Sequence, residues 1–409
     1  RMRKYGDKIK AALFWSIISA AFVGPGTITT AASAGAGFGL HLLWALTFST
    51  LACFVLQEAA ARLTILSGSS LGQHLAAHSN SLIRYSVAGA VVFGCAAYED
   101  FGFTEDDSTQ AVNLTGALVG LQTVIPASNR LIIVLIAAGA SLLLWFGTHR
   151  HIARLLGIIV ALMGLMFLVI AGQTERESTA ILSHLFVPSV PKGASMMILA
   201  LIGTTIVPYN LFLGSGIGHR QSPGQMRRGL AWAIAIGGMI SMAVMVTGSG
   251  IVGEFSFEKL VYKLEHDTGR LSIYLFAGGL FAAGFTSALT APLAAAITFE
   301  NVHQSTEQPV RGKDRFSYRA AWVIVMLVGV LFSVLGIRPA PLIIAAQAIN
   351  GLILPIAAYF LILSLNRVVL KRSGRPLPVI QRLLFAFIVF LCIVLGLHSL
   401  LAVLFDSEV

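Results

Sequence analysis

The chain alternates between long apolar runs and short polar connections. Each run is about 20 residues long, the length a helix needs to cross the ~30 Å hydrocarbon core of a membrane. The pattern predicts an all-α membrane protein with eleven transmembrane helices. Their approximate bounds are 11–38, 40–66, 81–121, 131–147, 151–171, 194–218, 229–253, 271–298, 317–337, 341–365 and 379–403.

The third run can be counted in two ways, because the acidic stretch EDFGFTEDDSTQ at 99–110 divides it. Counted as one span, with a cytoplasmic N-terminus, it places 21 of the 28 Lys and Arg residues on cytoplasmic segments; counted as two, it divides them evenly. Short cytoplasmic loops are enriched in these residues. We therefore expect eleven spans and read Asp100–Gln110 as either a helical insertion or a re-entrant turn.

Composition supports this picture. Of 409 residues, 56% are hydrophobic and only 11% are charged, with a mean hydropathy of +0.83. The net charge of +10 belongs to loops that orient the chain in a membrane, so we expect membrane lipid and no nucleic acid as partners. We expect an integral, multi-pass protein of a bacterial inner (plasma) membrane. The sequence is compatible with a monomer and does not determine the oligomeric state.

Two spans carry helix-breaking residues in their middle: GPGT at 24–27 in the first and TTIVPYN at 204–210 in the sixth. Proline lacks a backbone donor and clashes with the preceding turn. Broken helices at matching places in two halves indicate a transporter site near the bilayer midplane. The interpretation is one transporter domain over 1–409, with inverted five-helix repeats at about 11–171 and 194–365 and an extra helix at about 379–403.

Several segments resemble the NRAMP family of metal-ion transporters, in the same order along the chain. The resemblance implies an inverted-repeat, amino-acid-transporter-like fold and ion-coupled alternating access. The segments are VGPGTITTAASAGAGFG at 23–39, LQEAAARLTILSG at 56–68, GTTIVPYNLFLGS at 203–215, GLFAAGFTSALTAPLAAA at 279–296 and AAQAINGLILP at 345–355.

The chain departs from the family pattern where substrate binds. The family's first-helix motif is Asp-Pro-Gly-Asn, and here the metal-binding positions hold Gly24 and Thr27. The sixth-helix motif is Met-Pro-His, and here it is Val207, Pro208 and Tyr209. The resemblance thus implies a divergent, NRAMP-related member that lacks the usual metal-binding Asp and Met.

Carrying the family positions over gives a site made of neutral groups. The expected substrate-binding residues are Gly24, Thr27, Thr204, Val207, Tyr209, Asn210, Gln347 and Asn350. Within this set, Thr27, Thr204, Tyr209, Gln347 and Asn350 are the candidate metal ligands. Glu99, which matches an acidic position of the family's third helix, is the candidate for coupling to H⁺ or Na⁺.

Oxygen ligands suit hard cations such as Mg²⁺, Ca²⁺ or Mn²⁺ rather than softer metals. The sequence therefore favours a secondary active transporter for a hard divalent cation, for example Mg²⁺ or Mn²⁺, over selective iron transport. It needs no cofactor beyond the coupling ion. One alternative is a carrier on the same scaffold for a non-metal small solute or anion, and another is a non-transporting membrane sensor. An enzyme is not expected, because no catalytic motif occurs in the spans.

Overall fold

The computed structural model describes residues 23–98, 129–146, 149–174, 178–217, 222–303, 315–334 and 339–405, and these form helices joined by short connections. In chain order, the helices are α1 Pro25–Phe38, α2 Leu43–Ser67, α3 Leu71–His78, α4 Ser81–Tyr98, α5 Asn129–Phe146, α6 His149–Gln173, α7 Ser178–Phe186, α8 Ser195–Thr205, α9 Pro208–Ile217, α10 Pro223–Gly248, α11 Phe257–Thr268, α12 Leu271–His303, α13 Arg315–Val334, α14 Pro339–Ser373 and α15 Val379–Phe405.

Seven stretches within the described residues are long and apolar enough to cross a membrane. They are 43–67, 155–173, 195–212, 223–248, 271–302, 353–373 and 379–397. Three shorter apolar helical stretches lie at 81–95, 135–146 and 318–328. The predicted all-helical, multi-pass membrane fold is confirmed, whereas the number eleven stays a prediction. The acidic stretch Asp100–Gln110 lies outside the described residues.

The break predicted in the sixth span is confirmed. Helix α8 ends at Thr205, Ile206 leaves the helical conformation at φ −106° and ψ 75°, and α9 begins at Pro208. In the first span, α1 begins at Pro25 behind the extended residue Gly24. The remainder of that span lies outside the described residues. The assignment of repeats and of a single domain therefore stays a prediction.

Three short helices between the spans were not foreseen from the apolar pattern: α3, α7 and α11. Helix α3 begins with a capping box, in which the Ser70 side chain accepts from the Gln73 backbone and the Gln73 side chain accepts from the Ser70 backbone. The Ser256 side chain caps α11 in a similar way, by accepting from the Lys259 backbone. Such caps satisfy backbone donors that a helix N-terminus leaves unpaired.

Glycines allow α1 and α10 to pack backbone against backbone. A Cβ added at Gly35 would collide with the Met245 carbonyl oxygen, and one added at Gly248 would collide with Ala32 backbone atoms. Small residues permit this close approach in membranes, where helix association depends on van der Waals packing. The contact anchors α1 on a long helix and thereby fixes the position of its N-terminal end.

We predict that Gly248→Ala lowers the free energy of unfolding of the purified protein by about 1–3 kcal/mol, and with it the melting temperature. The reason is that the new methyl group forces two backbones apart. Gly89→Ala in α4 is the matched control, since its Cβ would meet no atom within 4 Å. The control should be neutral or stabilising, because alanine favours helix over glycine. Melting temperatures measured in detergent test this, and equal values for both variants would contradict the packing.

Candidate functional site

The N-terminal end of α1 forms one wall of the candidate site. Gly24 is buried, and its carbonyl oxygen accepts from the Ile28 N–H at 3.1 Å to close the first helical turn. A Cβ at Gly24 would lie 3.2 Å from the Ser287 hydroxyl oxygen of α12. A larger residue here would therefore press directly on the Ser287 side chain. If Gly24 binds substrate as predicted, its carbonyl oxygen can contribute only its second lone pair.

The break between α8 and α9 forms the opposite wall. In a continuous helix the Thr204 carbonyl would accept from the N–H of residue 208, but Pro208 has no N–H. Across the site, the Thr27 and Thr204 hydroxyl oxygens lie 3.1 Å apart and are buried. The structure thus brings together two residues predicted from separate spans, one on each side of the site.

The junction before α9 and the first turn of α9 add three more predicted residues. Val207 and Tyr209 are each 3% exposed and Asn210 is 8% exposed. The Asn210 backbone N–H donates to the Val207 carbonyl at 3.0 Å, which begins the helix. The Asn210 side-chain amide has no hydrogen-bond partner within the described part of the chain. This amide is a polar group beside the break that remains available for a ligand.

Two hydroxyls near the site were not predicted. Ser287 is 5% exposed and has no hydrogen-bond partner among the described residues, and the buried Thr30 hydroxyl, one turn beyond Thr27, also has none. By contrast, Thr286 and Thr290 donate to carbonyls of their own helix. The cluster of small polar residues in FTSALT at 285–290 is a sequence signal that could have drawn attention to Ser287.

Helix ends supply the site's fixed electrostatics. The C-terminal end of α8 carries a partial negative charge of roughly −0.5, while the N-terminal ends of α1 and α9 carry roughly +0.5 each. A cation is therefore favoured on the α8 side, next to Thr204. Within the described residues, no group of three or more His, Cys, Asp or Glu side chains is placed to hold a metal ion. The neutral ligand set stays a prediction.

The remaining predicted residues lie outside what the structure describes in detail. The backbone of Gln347 and Asn350 belongs to α14, which packs on α8, but their side chains are among those not described. Glu99 directly follows α4 and lies outside the described residues. Glu58, another acidic residue in a span, contacts Arg62 at 3.4 Å and Arg227 at 2.7 Å, so it is held in an ion-pair cluster.

Comparison with known proteins agrees with the helical architecture. The model of the Nramp family, described as "Natural resistance-associated macrophage protein-like", matches residues 16–398. Metal transporter Nramp3 of Oryza sativa subsp. japonica is 25% identical over 302 residues, covering 67% of this chain and 53% of that protein. The divalent metal cation transporter MntH of Verminephrobacter eiseniae is 24% identical over 303 residues, covering 69% of this chain and 66% of that protein.

The chain thus spans about half to two thirds of the length of these two relatives. Among solved structures, a manganese transporter of Eremococcus coleocola superimposes with a TM-score of 0.76 at 18% identity, covering 98% of this chain and 88% of that one. This likeness shows that the fold is shared.

The contact between Thr27 and Thr204 can be tested by a double-mutant cycle with valine, which keeps the shape and removes the hydroxyl. Each single change should lower stability by about 1 kcal/mol, because it leaves the other buried hydroxyl without this partner. The double variant should lose less stability than the two single variants together, since both polar groups are gone. If the loss of melting temperature in the double variant equals the sum of the losses in the two single variants, the two hydroxyls do not interact.

Proposed function

Because the chain belongs to the Nramp family, we propose that it is a secondary active transporter that carries a divalent metal cation across a membrane. Its curated relatives include a metal transporter and a divalent metal cation transporter. Family membership also confirms the expectation that the chain is not an enzyme. Its apolar helices and its family support an integral, multi-pass membrane protein. Its location in a bacterial inner membrane with a cytoplasmic N-terminus is part of the proposal.

The transported ion is a hard cation, such as Mg²⁺ or Mn²⁺. Octahedral Mg²⁺ has ligands at about 2.0–2.1 Å, which puts neighbouring oxygens about 2.9 Å apart, and the longer Ca²⁺ bonds put them at about 3.4 Å. The 3.1 Å between the Thr27 and Thr204 hydroxyl oxygens falls between these values. This spacing is the observation that carries the proposal, because one hard cation can contact both oxygens with little backbone movement.

Charge compensation comes from outside the two breaks. Neutral oxygens and the partial charge at the end of α8 do not offset the cost of stripping a divalent ion of its water. Mg²⁺ commonly keeps several water molecules in protein sites. We propose that the ion stays partly hydrated, that Gln347 and Asn350 of α14 complete the ligand set, and that Glu99 supplies the counter-charge and couples transport to H⁺ or Na⁺.

Alternating access requires that the site open to each side in turn. The site residues Thr27, Thr204 and Tyr209 are each 3% exposed, so the described conformation encloses them. The half-helices α8 and α9 meet at Ile206 and Val207, where backbone torsions can change without breaking a continuous helix. We propose that movement at this junction separates Thr27 from Thr204 and admits the ion.

A second candidate function is a carrier for a non-metal solute with an anionic or zwitterionic group. The observation that favours it is the pair of helix N-termini, those of α1 and α9, at the same site. Free N–H groups and positive dipole ends suit carboxylate or phosphate oxygens. Under this alternative the unpartnered Asn210 amide would orient the solute, and no divalent cation would bind.

Isothermal titration of the purified protein with Mg²⁺, Mn²⁺ and Ca²⁺ distinguishes the two candidates. We expect binding of at least one ion, and we expect Thr27→Val and Thr204→Val each to weaken it by about tenfold, or 1.4 kcal/mol. Thr205→Val is the matched control, because the Thr205 hydroxyl donates to the Leu201 carbonyl of its own helix at 2.8 Å.

Uptake into proteoliposomes should fall in Thr27→Val and Thr204→Val but not in Thr205→Val. Asn350→Ala should also reduce uptake without loss of folded protein. If no ion produced heat in the wild-type protein, the non-metal candidate would be preferred. If wild-type protein bound an ion and all three valine variants bound it equally well, the ion site would lie elsewhere.

A further inference from the structure

A charged cleft lies where three helices end close together, and none of the predicted site residues lines it. It has a volume of about 260 Å³ and is lined by residues of α2, α10 and α15. Arg62 lies near the C-terminal end of α2, Arg227 in the second turn of α10, and Gln381 in the first turn of α15. These three helices contain candidate membrane spans, and the cleft lies at one end of each span.

The positive charge in the cleft exceeds the negative charge. Glu58 accepts from Arg227 at 2.7 Å and lies 3.4 Å from Arg62. It is the one acidic side chain among the lining residues, so two guanidinium groups share one carboxylate. Arginine is a strong phosphate ligand because its planar guanidinium can donate two parallel hydrogen bonds. The net charge of +1 therefore suits a phosphate group.

Hydrogen-bond donors remain unused at this position. The Arg62 Nε–H is buried and has no partner within the described structure. Both terminal nitrogens of Arg62 donate to the side-chain oxygen Oε1 of Gln381 at 3.3 Å. The NH₂ group of the same Gln381 amide therefore points away from Arg62. The Arg227 side chain is 57% exposed. The Arg227 guanidinium and the Gln381 amide thus offer donors to an anion that enters the cleft.

The same cleft is apolar one helical turn deeper. Phe54 and Val55 precede Glu58 by one turn on α2, and Leu384 and Phe385 follow Gln381 by one turn on α15. The apolar surface continues along α15, where Leu384 is 42% exposed and Phe387 is 54% exposed. A phosphate in the polar end would therefore place any attached hydrocarbon chain against these side chains.

We propose that this cleft binds one anionic phospholipid, with its phosphate on Arg227 and Gln381 beside the charge of Arg62 and an acyl chain along α15. A volume of about 260 Å³ is below the ~300–1,000 Å³ of pockets that enclose whole drug-sized ligands, so the cleft holds only the head of the lipid. A soluble phosphate would use the polar end alone and gain nothing from Leu384 and Phe387. Polar and apolar parts together identify the lipid as the ligand.

The test uses the purified, delipidated full chain in detergent, with binding followed by native mass spectrometry and by melting temperature. The probes are dioleoylphosphatidylglycerol, which carries one negative charge, zwitterionic dioleoylphosphatidylcholine, and soluble glycerol phosphate. We expect the anionic lipid to bind at least about fivefold more tightly than the zwitterionic one, since each surface arginine adds attraction for anionic lipid. Glycerol phosphate should neither bind nor stabilise the protein.

Gln381→Glu is the diagnostic variant, because a carboxylate can still accept from Arg62 but repels a phosphate. Arg228→Gln is the matched control: it lowers the net charge by the same one unit at an exposed neighbour of Arg227 that is not among the cleft residues. We expect Gln381→Glu to weaken anionic lipid binding by about fivefold or more while keeping the lipid-free melting temperature. Arg228→Gln should bind it as the wild type does.

Arg227→Gln provides a second variant that keeps the Glu58 and Arg62 pair, and it should also lose anionic lipid. Equal losses in Gln381→Glu and Arg228→Gln would show diffuse surface charge and overturn the site. Unchanged lipid binding in both cleft variants would overturn it as well. Stabilisation by glycerol phosphate that equals the lipid's would reassign the cleft to a free anion.

Discussion

Backbone polar groups that lie inside a membrane must have partners, and this constraint governs how the sixth span is built. A continuous helix satisfies its own N–H and C=O groups, whereas the break at Ile206 and Val207 interrupts that ladder. Irregular backbone at such depth is tolerated only where protein buries it or where it lines a polar cavity. Burial here is thorough, since Thr204, Thr205 and Val207 are all at most 5% exposed.

Burial of the break depends in turn on close helix packing. The glycine contacts between α1 and α10 let one backbone rest on another, and Gly24 brings the start of α1 against Ser287 of α12. These approaches place the Thr27 hydroxyl within 3.1 Å of Thr204. Small residues therefore do more than allow flexibility: they set the distance between the two oxygens on which the proposed ion site rests.

The features predictable from sequence were those with local causes. Proline at 208 interrupts a helix wherever the chain folds, and apolar runs of about 20 residues indicate spans. The pairing of Glu58 with Arg62 also follows from their spacing of four residues on one helix. By contrast, the contact of Arg227 with Glu58 and the close approach of Ser287 to Gly24 join segments that are distant in the sequence. Such contacts depend on helix packing, which a single sequence does not encode in any local pattern. Short helices such as α3 escaped notice because their caps, rather than an apolar run, define them.

The distribution of charge separates two kinds of polar site in this chain. At the breaks the described groups are neutral hydroxyls, amides and helix ends, which can release a ligand because none binds it with a full charge. At the ends of α2, α10 and α15, full charges meet in a cleft. The proposed carrier thus binds its ion through neutral ligands and retained water at the breaks, with Glu99 as the proposed counter-charge, while Arg62 and Arg227 line a separate cleft.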